Sequence, residues 1–296
     1  MKAKTNKSSK SEENATFYKE QLDSLKDMMS RTTSYMEMLQ SELKKKNREI
    51  EQSVNYAQNI QHNLLPKSTV FKSQFKEYFY DVRQRDIIGG DMIYAKQVGD
   101  EFIFALMDCT GHGIPGALLS MLGYTFLDRL INSANSNSPS LILKALDLQF
   151  KKFFSQSPSE RTLTDGMDGI LCCYHKRSKI LKYSLAGRPL WYHHNGEWHR
   201  QRPAKSSIGG SRNKGFETIC LSLDDGDEIF IFSDGLTDQF GGPHDKKFLT
   251  KRALNCLINQ KKLNLTDRFQ NLVEEVFEWK GKTEQTDDIS LLALKL

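Results

Sequence analysis

The chain has five cysteines in 296 residues, and none forms a Cys-x-x-Cys pair or stands at zinc-ligand spacing from a histidine. That excludes a zinc ribbon, a thioredoxin-like redox pair and a disulfide-stapled scaffold. The lysines of the opening MKAKTNKSSKSEEN are followed by no apolar stretch, and Lys2 stands where a myristoylation signal needs glycine. With an odd cysteine count, this predicts reduced thiols and a cytoplasmic setting. No apolar run nears the roughly 20 residues that cross a bilayer, so no membrane insertion is expected. The net charge of +5 is not gathered into a basic stripe, because acids are interleaved with the lysines and arginines throughout. No nucleic-acid partner is therefore expected.

Between Ala15 and Leu65 both proline and glycine are missing. Stepping by seven from Leu22 gives Leu22, Met29, Met36, Leu43, Ile50, Ala57 and Leu64, all apolar. The companion series Leu25, Thr32, Leu39, Lys46, Ser53 and Ile60 is apolar at half its positions. One complete heptad series with an imperfect partner predicts a coiled-coil helix over residues 15–66 and a homodimer formed through it. At about 1.5 Å per residue, such a rod of about 50 residues is about 75 Å long, too long to bury its stripe on one small domain. Pro66 ends it. Residues 1–14, polar and rich in lysine, are expected to be disordered, and residues 67–296 to form one catalytic-sized domain.

In that domain, strands are predicted at Tyr78–Val82, Met92–Val98, Phe102–Met107, Gly169–His175, Ile180–Leu185, Leu190–His194, Trp198–Gln201, Thr218–Leu221, Glu228–Phe232 and Ile289–Lys295. Asn195-Gly196 marks a type I′ hairpin. Helices are predicted at Pro115–Asn132, Pro139–Phe154, Lys246–Asn259 and Thr266–Lys280, with a mobile turn at Phe240-Gly241-Gly242-Pro243. Strands in hairpin-like groups with paired helices indicate an α+β fold on antiparallel sheets.

Four acidic motifs punctuate the strand ends: Gly89-Gly90-Asp91, Asp108-Cys109-Thr110-Gly111-His112-Gly113, Ser233-Asp234-Gly235 and Thr286-Asp287-Asp288. Each flanks an apolar run, so folding brings the carboxylates toward one place. Convergent carboxylates repel unless a cation sits among them, and an all-oxygen set suits a hard divalent ion. Asp224, Asp225 and Asp227 are read as a solvated turn, and His193, His194 and His199 as exposed strand histidines.

The ordered series IIGGD (Ile87–Asp91), MDCTGHGIPGA (Met107–Ala117), DGMD (Asp165–Asp168), LAGRPL (Leu185–Leu190), FSDGLTDQFGG (Phe232–Gly242) and WKGKTEQTDDIS (Trp279–Ser290) resembles the bacterial PP2C-like phosphatase domain of the SpoIIE/RsbU class. The similarity covers roughly residues 68–296, and the lead-in Ser53–Pro66 is similar to the helix preceding this domain in many members.

The resemblance implies a PP2C-like sandwich of two antiparallel β-sheets flanked by helices, here preceded by the coiled-coil helix. It also implies a protein serine/threonine phosphatase using two Mn²⁺ or Mg²⁺ ions. Carried over by motif, Asp91, Asp108, Asp234 and Asp287 are metal ligands, with the backbone carbonyl of Cys109. Asp288, Asp238 and Asp168 would support them from behind. Gly111 and Gly113, at the start of a predicted helix, and Arg85, upstream of Asp91, are candidate contacts for a substrate phosphate. His112 is a candidate acid for the leaving group, although its offset from Asp108 differs from that in eukaryotic relatives. The implied partner is a phosphorylated protein, typically a small anti-anti-sigma-like regulator. Control is expected through association or bending of the helix over Ser53–Leu65. Two alternatives stand beside this: a catalytically degenerate signalling adaptor, and another two-metal phosphoesterase.

Overall fold

The run EFIFALMDC becomes a strand buried on both faces, and that double burial sets the architecture. The computed structural model describes residues 5–133, 138–155, 165–203, 206–210 and 215–296. In chain order its elements are α1 (Thr5–Leu64), α2 (Ser68–Lys72), β1 (Glu77–Arg83), β2 (Met92–Val98), β3 (Glu101–Cys109), α3 (Gly113–Ser133), α4 (Pro139–Phe154), β4 (Met167–His175), β5 (Ile180–Ala186) and β6 (Leu190–His194). They continue as β7 (Glu197–Gln201), β8 (Ile219–Ser222), β9 (Glu228–Phe232), α5 (Asp234–Asp238), β10 (Phe240–Gly241), β11 (Lys246–Lys247), α6 (Thr250–Asn259), α7 (Leu265–Lys280) and β12 (Ile289–Lys295).

The residues fall into two units, Met1–Asn55 and Tyr56–Leu296. In the first, α1 is helical from Thr5, so it takes in most of the segment expected to be disordered. Its apolar heptad positions are open to solvent: Met29 is 68% exposed and Leu43 63%. No described helix is long and apolar enough to cross a membrane.

In the second unit, two five-stranded antiparallel sheets run β1-β12-β9-β6-β7 and β2-β3-β4-β5-β8. Successive side chains of a strand point to opposite faces, and the apolar runs use both. Phe102, Phe104 and Leu106 of β3 meet Ile229 and Ile231 of β9 and Leu292 and Leu294 of β12 in the core between the sheets. The alternate residues Ile103, Ala105 and Met107 pack outward with Leu127 of α3 and Leu143, Leu146 and Phe150 of α4. On the other sheet, Phe230, Leu291 and Ala293 face Leu257 of α6 and Phe269, Leu272 and Val276 of α7. The result is the α+β sandwich with flanking helices that the sequence indicated.

Every predicted strand forms, and the Asn195-Gly196 turn has φ of 52° and 81°, both positive as a type I′ hairpin requires. Three expectations are corrected. Lys246–Lys247 pairs with Phe240–Gly241 as a two-stranded ribbon, so α6 starts at Thr250, four residues later than its helix-like composition suggested; the Gly242-Pro243 turn folds the chain back first. Pro66 leads into a short helix, α2, rather than directly to a strand; its anchor Phe71 is fully buried and stacks on Tyr78. Truncating Phe71 to alanine would cost about 3–5 kcal/mol. Asp227 is buried rather than solvated, accepting from the Asp224 N–H at 2.7 Å and lying 2.6 Å from His194 Nδ1.

Candidate active site

Strand register gathers the acidic motifs at one end of the sandwich. Met92 pairs with Met107, which sets Asp91, the residue before β2, beside Asp108 near the end of β3. Asp108 is itself opposite Asp168 on β4. On the facing sheet, Leu291 pairs with Phe232 and Arg83 with Ile289. Asp234, just after β9, and Asp287-Asp288, just before β12, therefore share that sheet's corresponding end with the segment after β1.

Electrostatics report how close these groups stand. Burial pushes the Asp91 carboxyl well above the usual range, and Asp108 and Asp288 push it further, while the Ser290 and Ser233 hydroxyls act in the opposite direction. The Asp108 carboxyl rises to about 7: burial is the largest cause, Arg188 opposes it, and Asp234, Asp287 and Asp168 add to it. Asp108 is thus the hub: Asp91 feels its charge, and it in turn feels those of Asp234 and Asp287. Asp91 Oδ2 is buried without a hydrogen-bond partner.

Asp288 has a different task from Asp287. Its two oxygens accept the Arg85 N–H at 2.7 Å and the Gly90 N–H at 2.6 Å, so it clamps the segment leading to Asp91. A side chain at Gly90 would lie 2.9 Å from the Cys109 carbonyl oxygen and 2.8 Å from that of Gly111. Only glycine lets these two loops close against each other and bring the Cys109 carbonyl alongside Asp91.

The remaining candidates lie around the rim or behind. Arg85 is exposed, and its guanidinium reaches the Thr286 carbonyl at 3.3 Å. His112 is exposed with Nδ1 2.8 Å from Asp86 Oδ2, so its partner is a carboxylate outside the central cluster. Gly111 and Gly113 have φ of 87° and 63° and lead into α3, which starts at Gly113. Asp238 closes α5 and pairs with Lys247 at 2.8 Å. The Asp168 carboxylate stands against the Gly187 backbone.

Sequence reasoning missed two residues that the site depends on. Arg188 lies between Asp108 and Asp234, with Nη2 at 2.5 Å and 2.7 Å from one oxygen of each. It is the single charge in the otherwise apolar or small stretch SLAGRPLW, a signal that was there to read. Gln61, in the last turns of α1, is buried and donates from Nε2 to the Gly89 carbonyl at 2.6 Å and to Ser120 Oγ at 2.9 Å. Nothing distinguishes it in sequence from Gln52 or Gln58 on the same helix.

The donor set fits a divalent cation. Asp91, Asp108, Asp234 and Asp287 supply hard oxygens, their mutual repulsion asks for positive charge, and the Asp91 Oδ2 orphan lacks any other partner. Three of the cysteines offer no competing chemistry: burial drives the thiols of Cys109 and Cys172 well above their ordinary value and that of Cys173 to about 12, which leaves none of these three as a thiolate to attack phosphorus.

A second polar group, His194, Asp224 and Asp227, lies away from this end and is bonded within itself as the turn before β9.

A family profile, stage II sporulation protein E (SpoIIE), matches residues 99–296. No curated protein sequence matches the chain closely enough to count as a relative. Among solved structures, the SiaA PP2C domain of Pseudomonas aeruginosa superposes with a TM-score of 0.75 at 27% identity, covering 84% of this chain and 98% of that one. The PP2C phosphatase domain of SpoIIE from Bacillus subtilis, solved with a fragment of its regulatory domain, gives 0.60 at 16% identity, over 74% of this chain and 63% of that one. RsbX in complex with magnesium gives 0.51 at 15% identity, over 75% and 98%. The last two likenesses concern the fold. With two-thirds of its length matched, the chain belongs to the SpoIIE family and carries that family's PP2C-like phosphatase domain.

Proposed function

We infer that the protein hydrolyses phosphoserine or phosphothreonine on a small regulatory protein of the anti-anti-sigma type, using two divalent ions, Mn²⁺ or Mg²⁺. The observation that carries this reading is the convergence of Asp91, Asp108, Asp234 and Asp287 at one end of the sandwich, with a buried carboxylate oxygen left unpartnered.

Asp91, Asp108, Asp234, Asp287 and the Cys109 carbonyl would hold the ions. When bound, the ions supply neutralisation of the phosphoryl oxygens and a water acidic enough to attack phosphorus at neutral pH. The chain's own groups prepare that chemistry. Asp288 fixes the loop of Gly90 by taking its N–H, so Asp91 is held in place. Asp168, opposite Asp108 on β4, adds its charge to the cluster, while Asp238 at the end of α5 is paired with Lys247. The Arg85 guanidinium and the amides around Gly111 and Gly113 lie at the rim, where the anionic ester would arrive. Water attacks in line, the phosphorus–oxygen bond to the serine breaks, and the leaving alkoxide takes a proton, for which the motif offers the imidazole of His112, held by Asp86.

Two features support regulation through the N-terminal helix. Gln61 ties its last turns to Gly89, two residues before Asp91. A cavity of about 180 Å³, lined by Gln58, His62, Leu65, Ile87, Asp91 and Tyr124, leaves that junction incompletely packed. A shift of the helix there would reposition Asp91. The exposed heptad series from Leu22 to Ile50 supports a homodimer.

The test compares a phosphoserine peptide with bis(nitrophenyl) phosphate, each with and without Mn²⁺. Metal-dependent hydrolysis of the peptide alone is expected. Preference for the diester would indicate a different phosphoesterase, and no turnover of either would indicate an adaptor.

A further inference from the structure

Arg188 is the cation that already sits among the carboxylates. It follows β5, and its Nη2 bridges Asp108 Oδ2 of one sheet and Asp234 Oδ2 of the other at 2.5 Å and 2.7 Å. The side chain is 15% exposed, and its Nε is buried with no partner. The preceding Gly187 has φ of 74°, and a Cβ there would lie 2.3 Å from the Asp168 carboxylate, so the turn that carries Arg188 requires glycine. The guanidinium stands between two carboxylates from opposite sheets that would otherwise repel.

These are two of the same carboxylates that would hold a divalent ion. One carboxylate oxygen cannot keep a short charge-assisted bond to a guanidinium and also give full donation to a divalent cation. We propose that Arg188 is a resident counter-cation of the acidic cradle, which holds Asp108 and Asp234 together while metal is absent and competes with the divalent ion for them. This inference rests on the metal-dependent reading above. It adds that metal binding is an exchange of one cation for another, so the site keeps its shape when empty at a cost in metal affinity.

Calorimetric titration of Mn²⁺ into the full chain, its Arg188→Met variant and its Arg188→Lys variant tests this, with thermal unfolding recorded in parallel. Arg188→Met should bind Mn²⁺ about tenfold more tightly or better, since a competing charge is gone. It should also unfold at lower temperature than the wild type without metal, and recover when Mn²⁺ is saturating. Arg188→Lys, which keeps the charge without the fork, should bind with intermediate affinity. Equal or weaker Mn²⁺ binding by Arg188→Met would overturn the proposal, because a residue that merely orients the ligands weakens binding when lost. Absence of Mn²⁺ binding by the wild type would instead overturn the metal-dependent reading.

Should Arg188→Met fail to fold, the wild type labelled with ¹⁵N-arginine gives a second readout. The Arg188 side-chain signal, assigned with Arg188→Lys, should move in step with Mg²⁺ occupancy. A signal that stays in place at full occupancy would overturn the proposal.

Discussion

Gln61 donates a hydrogen bond to the Gly89 carbonyl at 2.6 Å, joining the last turns of the N-terminal helix to the loop that carries Asp91. The same side chain accepts from Gln84 Nε2 at 2.8 Å and from the Gly89 N–H at 3.3 Å, so both ends of its amide are used. Gln61→Ala removes the short donor of the buried Gly89 carbonyl and leaves it only the Ser120 hydroxyl at 3.4 Å, which costs about 1–3 kcal/mol. Because that carbonyl belongs to the Asp91 loop, Mn²⁺ affinity should fall about tenfold as well. Thermal unfolding and calorimetric titration check both effects; a loss of stability with unchanged metal affinity would separate Gln61 from the site.

Asp91→Asn removes the most strongly buried of the repelling charges while keeping its shape. Without metal the variant should be more stable than the wild type, by about 1–3 kcal/mol. Phosphatase activity should drop at least about 100-fold. Denaturant unfolding without metal, paired with phosphate release under saturating Mn²⁺, tests this opposition between stability and activity.

The acid cluster also sets the pH response. Asp91, Asp108 and Asp288 have carboxyls raised in the folded state, Asp108 to about 7, so the folded chain holds more protons than the unfolded chain between roughly pH 4 and pH 7. The Asp108 contribution to stability is therefore full below about pH 4 and is lost as pH rises through about 7, and those of Asp91 and Asp288 are likewise lost as pH rises. Glu77 and Asp128 are shifted down and act with the opposite sign, but their change lies below about pH 4. The metal-free melting temperature should fall from pH 4.5 to pH 7.5. Divalent ions require the carboxylates ionised, so saturating Mn²⁺ should shrink or reverse that fall, and binding should release protons. Calorimetry at three pH values, in two buffers of different ionisation enthalpy, measures both.

Met36 and Leu43 stand on the complete heptad series and are 53% and 63% exposed. Met36→Glu with Leu43→Glu should abolish self-association, because charges in a coiled-coil seam are desolvated without partners. Sedimentation velocity is expected to show a dimer for the wild type and a monomer for the double variant. If association sets the Asp91 loop, the monomer should also bind Mn²⁺ differently.

Strand positions and the acidic ends of strands were legible in the sequence because runs such as FIFALM (Phe102–Met107) and IFIF (Ile229–Phe232) are apolar without a break, and each leads into a turn signal. Their convergence was legible because the motifs come in a family order. What was not legible depends on contacts between distant segments. Gln61 matters only through Gly89, and Arg188 only through two aspartates that lie on different sheets. The buried state of Asp227 follows from a bond to His194 across neighbouring strands, where the local sequence reads as a polar turn. The Phe240–Lys247 ribbon hides in a segment whose lysines and glycines carry no strand preference.

Phosphate release from a phosphoserine protein, measured against Mn²⁺ concentration for the wild type and Asp234→Ala, tests the central claim most directly. The four-aspartate site predicts no release without a divalent ion, saturable activation as Mn²⁺ is added, and loss of both activity and activation in Asp234→Ala. Release that persists in chelator, or that survives Asp234→Ala at the same Mn²⁺ dependence, would contradict it.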